Sequence, residues 1–138
     1  MVPKSAALPC PCGQTDARGK PLCLAQCCGR FITPDRGTAA PDAACLMRSR
    51  YSAYVLQDVP YLLATWHART RPAALSLEPG VKWLGLELRR HVVQSADAAE
   101  VEFVARQRDA SGRAHRLHER SRFVREQGRW LYVDGIVG

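Results

Sequence analysis

Leu117-His118-Glu119-Arg120-Ser121-Arg122-Phe123-Val124 carries two alternating sets of side chains. Leu117, Glu119, Ser121 and Phe123 form one set; His118, Arg120, Arg122 and Val124 form the other. A period of two is that of a β-strand, with the first set on the expected inner face. The same period continues on both sides. Val101, Phe103 and Ala105 alternate with Glu102, Val104 and Arg106. Leu84, Leu86 and Leu88 alternate with Trp83, Gly85 and Glu87. Trp130 and Tyr132 alternate with Leu131 and Val133. Turn formers separate the four segments: Ser95-Ala96-Asp97, Asp109-Ala110-Ser111-Gly112 and Gln127-Gly128. Connections this short join antiparallel neighbours, which predicts a four-stranded meander.

Before residue 82 the period is helical. Asp42 reads as an N-cap, and the helix it opens runs from Ala43 to Leu56. Ala43, Met47, Tyr51, Tyr54 and Val55 share its inner face, with Arg48, Ser49 and Ser52 elsewhere on the cylinder. Asp58 caps a second helix that tolerates Pro60 in its first turn and buries Val59, Leu62, Leu63 and Trp66. A short third helix is expected around Ala73–Leu75, within a mixed stretch containing Pro72, Pro79 and Gly80. Helices followed by strands define an α+β fold in which the sheet curls around the helices.

Upstream, Cys10, Cys12, Cys23, Cys27 and Cys28 crowd one short stretch. Residues 33–41, dense in turn formers, then read as a linker between this segment (1–32) and the α+β domain (42–138). Clustered thiols without an export signal point to a bound metal rather than to disulfides. Thiolate sulfur in a tetrahedron suits Zn²⁺; iron accepts the same ligands. Pro11 stiffens the bend between Cys10 and Cys12, and Gly13 permits a positive φ after it. Adjacent side chains diverge, so Cys27 and Cys28 reach one ion only through a tight turn, which Gly29 helps; Cys23 competes for a place in the ligand set. Arg18, Lys20 and Arg30 lie close enough in sequence to offset thiolate charge. Cys45 stands apart, in a helical stretch, and reads as a small buried apolar group.

The 138-residue chain has a 46% hydrophobic fraction, enough for a core that needs no staples. It has no apolar run of membrane-spanning or signal-peptide length, so a cytoplasmic protein is expected. Net charge is +7, and only Lys4, Lys20 and Lys82 among its 20 basic residues are lysines. Such a balance raises nucleic acid as a partner, but interleaved Glu and Asp with no long basic run favour a solvated surface.

The carrying stretches Cys10-Pro-Cys-Gly13, Cys27-Cys-Gly-Arg-Phe-Ile32, Leu46-Met-Arg-Ser-Arg-Tyr-Ser-Ala-Tyr-Val55, Thr65-Trp-His67, Leu117-His-Glu-Arg-Ser-Arg-Phe123 and Trp130-Leu-Tyr-Val-Asp-Gly135 together resemble the YchJ-like family of bacterial proteins. The resemblance implies an N-terminal SEC-C zinc motif joined to a nuclear-transport-factor-2-like domain, a curved sheet with helices over its concave side. SEC-C ligands are a Cys-x-Cys and a later Cys-Cys or Cys-His, which here are Cys10, Cys12, Cys27 and Cys28. The stretch between Cys12 and Cys27 is longer than the usual spacing and contains Cys23. Some longer relatives carry a second motif at the C-terminus; none is expected here. No catalytic residues are established for the family, so none carry over.

Three functions follow as expectations. By analogy with the similar motif of the protein-export ATPase, the knuckle with Arg18, Lys20 and Arg30 docks on a protein or the ribosome. Alternatively the curved sheet encloses a small-molecule or enzymatic pocket around Glu119 and Ser121, lined by Tyr51, Trp83 and Tyr132. Against that stands burial of Glu119 in an ion pair with Arg48 or Arg50. A third possibility, RNA binding through Arg116, His118, Arg120 and Arg122, needs an outer strand face that is more than solvated.

Overall fold

The computed structural model describes residues 8–32 and 38–137. Strands β1 (Lys82–Ser95), β2 (Ala98–Arg108), β3 (Ala114–Glu126) and β4 (Arg129–Val137) form one antiparallel sheet in the order β1-β2-β3-β4, the expected meander. Its turns have local causes. Asp109 Oδ1 accepts from the amides of Ser111 (2.9 Å) and Arg113 (3.0 Å), closing the β2–β3 turn. Gln127 (φ 52°) and Gly128 (φ 77°) both take positive φ between β3 and β4, as a two-residue turn requires to match strand twist.

The concave face buries Ala99, Val101, Phe103 and Ala105 of β2, Ser121 and Phe123 of β3, and Trp130 of β4. On β1 the expected face is partly overturned. The register slips between Trp83 and Gly85, so Leu84 stands 45% exposed while Trp83, Leu86 and Leu88 pack on the core. One extra residue reverses the parity of everything before it.

Helix α1 (Ala43–Leu56) begins where Asp42 Oδ1 accepts from Cys45 N at 2.7 Å and ends on Gln57, which is left-handed at φ 58°. Helix α2 (Val59–Ala64) is capped by Asp58, which accepts from Tyr61 N at 3.1 Å. Tyr61 and Leu62 are its buried residues, whereas Val59, Leu63 and Trp66 are half-buried. Tyr61 is held inward because its hydroxyl meets Ser49 Oγ at 2.7 Å. After α2 the chain joins the sheet edge: His67 N donates to Tyr132 O (2.7 Å) and Tyr132 N to Thr65 O (2.8 Å). No helix forms around Ala73–Leu75. Pro72 biases its predecessor towards extended backbone, and Leu75 and Leu77 lean on the core without a helical turn.

The second correction concerns α1. Ser49 and Ser52 were expected off the buried face, yet both are fully buried, as is Arg50 at 3% exposure. The helix is covered on two sides, by the sheet on one and by the cysteine segment on the other. One continuous core contains Cys10, Cys12, Cys27, Cys28 and Phe31 together with Leu46, Tyr51, Leu62 and Phe123. Of the expected linker 33–41, residues 33–37 lie outside the described residues, while Ala40 is buried in that shared core.

Candidate functional site

The cysteine segment is built as a short ribbon closed by a tight turn. Cys10 N donates to Leu22 O and Leu24 N to Leu8 O, both at 2.8 Å, which sets Pro9 opposite Cys23. Gly13 N turns back to Cys10 O at 3.1 Å with φ 79°, so Cys10 and Cys12 face one space. Two single-turn 3-10 helices, Leu24–Gln26 and Cys28–Arg30, meet at Cys27, whose backbone (φ −123°, ψ −117°) belongs to neither. That break lets adjacent Cys27 and Cys28 point together. Gly29 serves close approach here: a Cβ there would lie 2.5 Å from Leu24 O.

The four sulfurs of Cys10, Cys12, Cys27 and Cys28 lie within 4.8 Å of one another, and all four residues are buried. Cys12 Sγ and Cys27 Sγ are 3.5 Å apart. A tetrahedron of thiolates with 2.3 Å Zn–S bonds has edges of about 3.8 Å, so the donor set fits a four-coordinate metal. Cys23 is half-buried on the ribbon and lies outside the cluster. Cys45 is half-buried on α1, its thiol pushed up to about 11, chiefly by burial.

The four thiols are electrostatically tied to one another. Hydrogen bonds from the thiols of Cys12 and Cys28 pull Cys10 well below the usual thiol range, and the same sharing with Cys10 pushes Cys28 well above it. Burial pushes Cys27 up to about 12. Without an ion, one sulfur accepts what its neighbours donate; four buried thiolates require positive charge among them.

The cluster is seated on α1. Cys10 Sγ meets Ser52 Oγ at 3.5 Å, and Arg48 Nη1 donates to Cys12 O at 3.4 Å. Small side chains on this flank of the helix let the knuckle approach. Of the charge-offsetting candidates, Arg30 is the nearest through the backbone: its Nε donates to Cys27 O at 2.9 Å. Arg18 and Lys20 stand exposed on a hairpin turn that Asp16 Oδ1 organises through their amides, at 2.8 Å and 3.0 Å.

The other side of α1 faces a cavity of about 250 Å³ under the curved sheet. Tyr51, Trp83, Glu119, Ser121 and Tyr132 all line it, and so does Arg50. Glu119 Oε2 accepts a short hydrogen bond from Ser121 Oγ and a longer one, at 3.5 Å, from Tyr132 Oη. The expected ion pair of Glu119 with Arg48 or Arg50 is absent among the described residues. Arg48 is drawn to the knuckle instead. Arg50 Nη1 donates to Leu62 O (2.8 Å) and Thr65 Oγ1 (2.7 Å), and its guanidinium lies over the rings of Trp66 (5.0 Å) and Tyr132 (4.7 Å). Sequence periodicity missed Arg50 because a charged residue beside an apolar stripe ordinarily reaches solvent.

On the convex face acidic partners interleave with the basic residues. Arg122 grips Asp134 with two bonds of 2.6 Å, and His118 meets Glu102 at 2.6 Å. Arg116 and Arg120 are exposed.

A curved antiparallel sheet closed by two helices, with a four-thiol knuckle docked on the first, is the arrangement of a nuclear-transport-factor-2-like protein carrying a SEC-C-type motif. Residues 42–135 match the family described as YchJ, middle NTF2-like domain, and the chain belongs to that family. It is 62% identical to a UPF0225 protein of Polaromonas sp. (strain JS666), with 91% of each chain covered. It is 61% identical to a UPF0225 protein of Methylibium petroleiphilum, covering 99% of this chain and 96% of that one. The solution structure of a SEC-C motif containing protein from Rhodopseudomonas palustris superposes with a TM-score of 0.79 at 30% identity, over 95% of this chain and 99% of that one. The crystal structure of a SEC-C motif containing protein from Psychrobacter arcticus gives a TM-score of 0.78 at 28% identity, over 97% and 85% of the two chains. Among the described residues no helix is long and apolar enough to cross a membrane.

Proposed function

We propose that Cys10, Cys12, Cys27 and Cys28 hold a structural Zn²⁺, and that the knuckle so fixed is a docking module for an acidic surface on a protein or the ribosome. The supporting observation is the burial of all four sulfurs within 4.8 Å of one another. A closed set of four thiolates leaves no position for substrate, which favours a structural over a catalytic ion. The metal fixes the ribbon whose exposed tip carries Arg18 and Lys20, with exposed Arg30 at the base. Three cations held on a rigid loop present positive charge at low ordering cost.

Elemental analysis of the purified chain tests the ion: one zinc per chain is expected, and iron at that stoichiometry would replace zinc in the assignment. Co-sedimentation with purified ribosomes and capture from nuclease-treated lysate test the docking. Arg18→Glu/Lys20→Glu/Arg30→Glu should retain the metal and lose the partner. Unchanged recovery by that variant would remove the knuckle from the interface.

A further inference from the structure

We propose that the cavity between α1 and the sheet binds a small organic monocarboxylate, its carboxylate on the guanidinium of Arg50 and its apolar or aromatic body against Tyr51, Trp83 and Tyr132. Arg50 is a buried cation without an ion pair: it is 3% exposed, no carboxylate lies within ion-pair distance among the described residues, and Glu119 in the same cavity acts on it only through space. A charge so placed is costly unless something of opposite sign joins it. Leu62 O and Thr65 Oγ1 occupy Nη1, while Nε and Nη2 hydrogen-bond to nothing among the described residues. Those two nitrogens form the fork that a carboxylate engages with both oxygens.

A second donor nearby is also unanswered. The indole Nε1 of Trp66, stacked under Arg50 and part of the cavity wall, is buried with no hydrogen-bond partner. The indole Nε1 of Trp130 is equally unpartnered and lines no wall of this cavity, so the Trp66 ring serves here as an apolar wall.

The remaining walls set the rest of the ligand. A cavity of about 150 Å³ accepts benzene. The 250 Å³ here holds a ring with a short acidic side chain. Edge-to-face contacts already order the rings that line it, Tyr51 with Trp83 at 5.4 Å and Trp66 with Tyr132 at 5.3 Å. Glu119 on the facing strands opposes a second acidic group, which limits the ligand to one, and offers acceptor oxygen to a donor at its far end.

The test is an NMR titration of the intact, metal-replete chain with phenylacetate, its neutral analogue phenylacetamide, and inorganic phosphate, read at the indole N–H resonances. Phenylacetate should shift Trp66 and Trp83 saturably and leave Trp130 unmoved. Arg50→Lys keeps the charge and loses the fork, and should weaken binding by about tenfold or more. Leu117→Trp fills the cavity without touching Arg50 and should abolish binding even if Arg50 variants fail to fold. The proposal is overturned if no probe binds with Kd below about 10 mM. It is equally overturned if phenylacetamide matches phenylacetate, if phosphate alone gives the response, or if the Leu117→Trp chain binds as well as the natural one.

Discussion

Gly135 lies against the side chain of Glu119 so closely that a methyl group on Gly135 would overlap its Cγ, Cδ and Oε2. The glycine is therefore what allows the carboxylate to lie down between Ser121 and Tyr132 on the inner face. Gly135→Ala should expel Glu119 from both partners and cost about 1–3 kcal/mol, as overpacking does. In Glu119→Ala/Gly135→Ala the penalty should be much smaller than the sum of the two single changes, because neighbours in contact are coupled. Denaturant unfolding of the four chains measures this; additive losses would refute the contact.

Metal removal should be felt beyond the knuckle, because the four cysteines belong to the same core as Leu46 and Phe123. Structural thiolate sites contribute about 10–16 kcal/mol of apparent binding energy in small peptides. Even a minor part of that should lower the Tm by about 10 °C or more on chelation. Cys27→Ser should act in the same direction. A Tm that ignores both treatments would show that no ion holds the cluster.

Ser52 is the seat of the knuckle, with Cys10 Sγ at 3.5 Å and no exposure of its own. Ser52→Ala should be close to neutral, since the pair is long and weak. Ser52→Leu should push the ribbon off α1 at a cost of about 1–3 kcal/mol, a Tm drop of about 4–12 °C. Metal affinity should fall in parallel, which a competition titration with a chromophoric chelator would detect.

Acid should weaken the β2–β3 turn. The Ser111 hydroxyl, then His115 and the amides of Arg113 and Ser111, hold the Asp109 carboxyl far below its usual range. A carboxyl depressed by folding contributes fully above its unfolded pKa of about 3.9 and loses that contribution as pH falls towards the folded value. Hydrogen exchange of the Ser111 and Arg113 amides should therefore accelerate below about pH 4 relative to the rest of the sheet. Asp109→Asn should remove that pH dependence. Uniform protection across the turn and sheet in acid would contradict it.

Strand alternation and turn chemistry made the meander legible, and Asp42 marked the start of α1 to the residue. Legibility ended where a third element intervened. Ser49 and Ser52 carry no apolar signal; Ser52 is buried under the ribbon and Ser49 beside Tyr61 of α2. Alternation groups Leu84 with Leu86 because it cannot reveal a residue that slips out of register. The crowding of Cys10, Cys12, Cys27 and Cys28 was visible as composition. The residues alone left Cys23 in competition and the SEC-C resemblance left it out; backbone pairing sets it opposite Pro9, outside the cluster. Arg50 was hidden for the opposite reason: its charge suggested solvent, and the rings that shelter it come from Trp66 and Tyr132, distant in sequence.

Since α1 is clad on both flanks, residues 42–135, which match the family model, do not hold the whole of the core. Excised alone, that stretch would bare Ser52 and the flank of α1 beside it to water. The ribbon of sulfurs roofs the flank of α1 that the sheet leaves bare, and neither piece is expected to travel intact without the other.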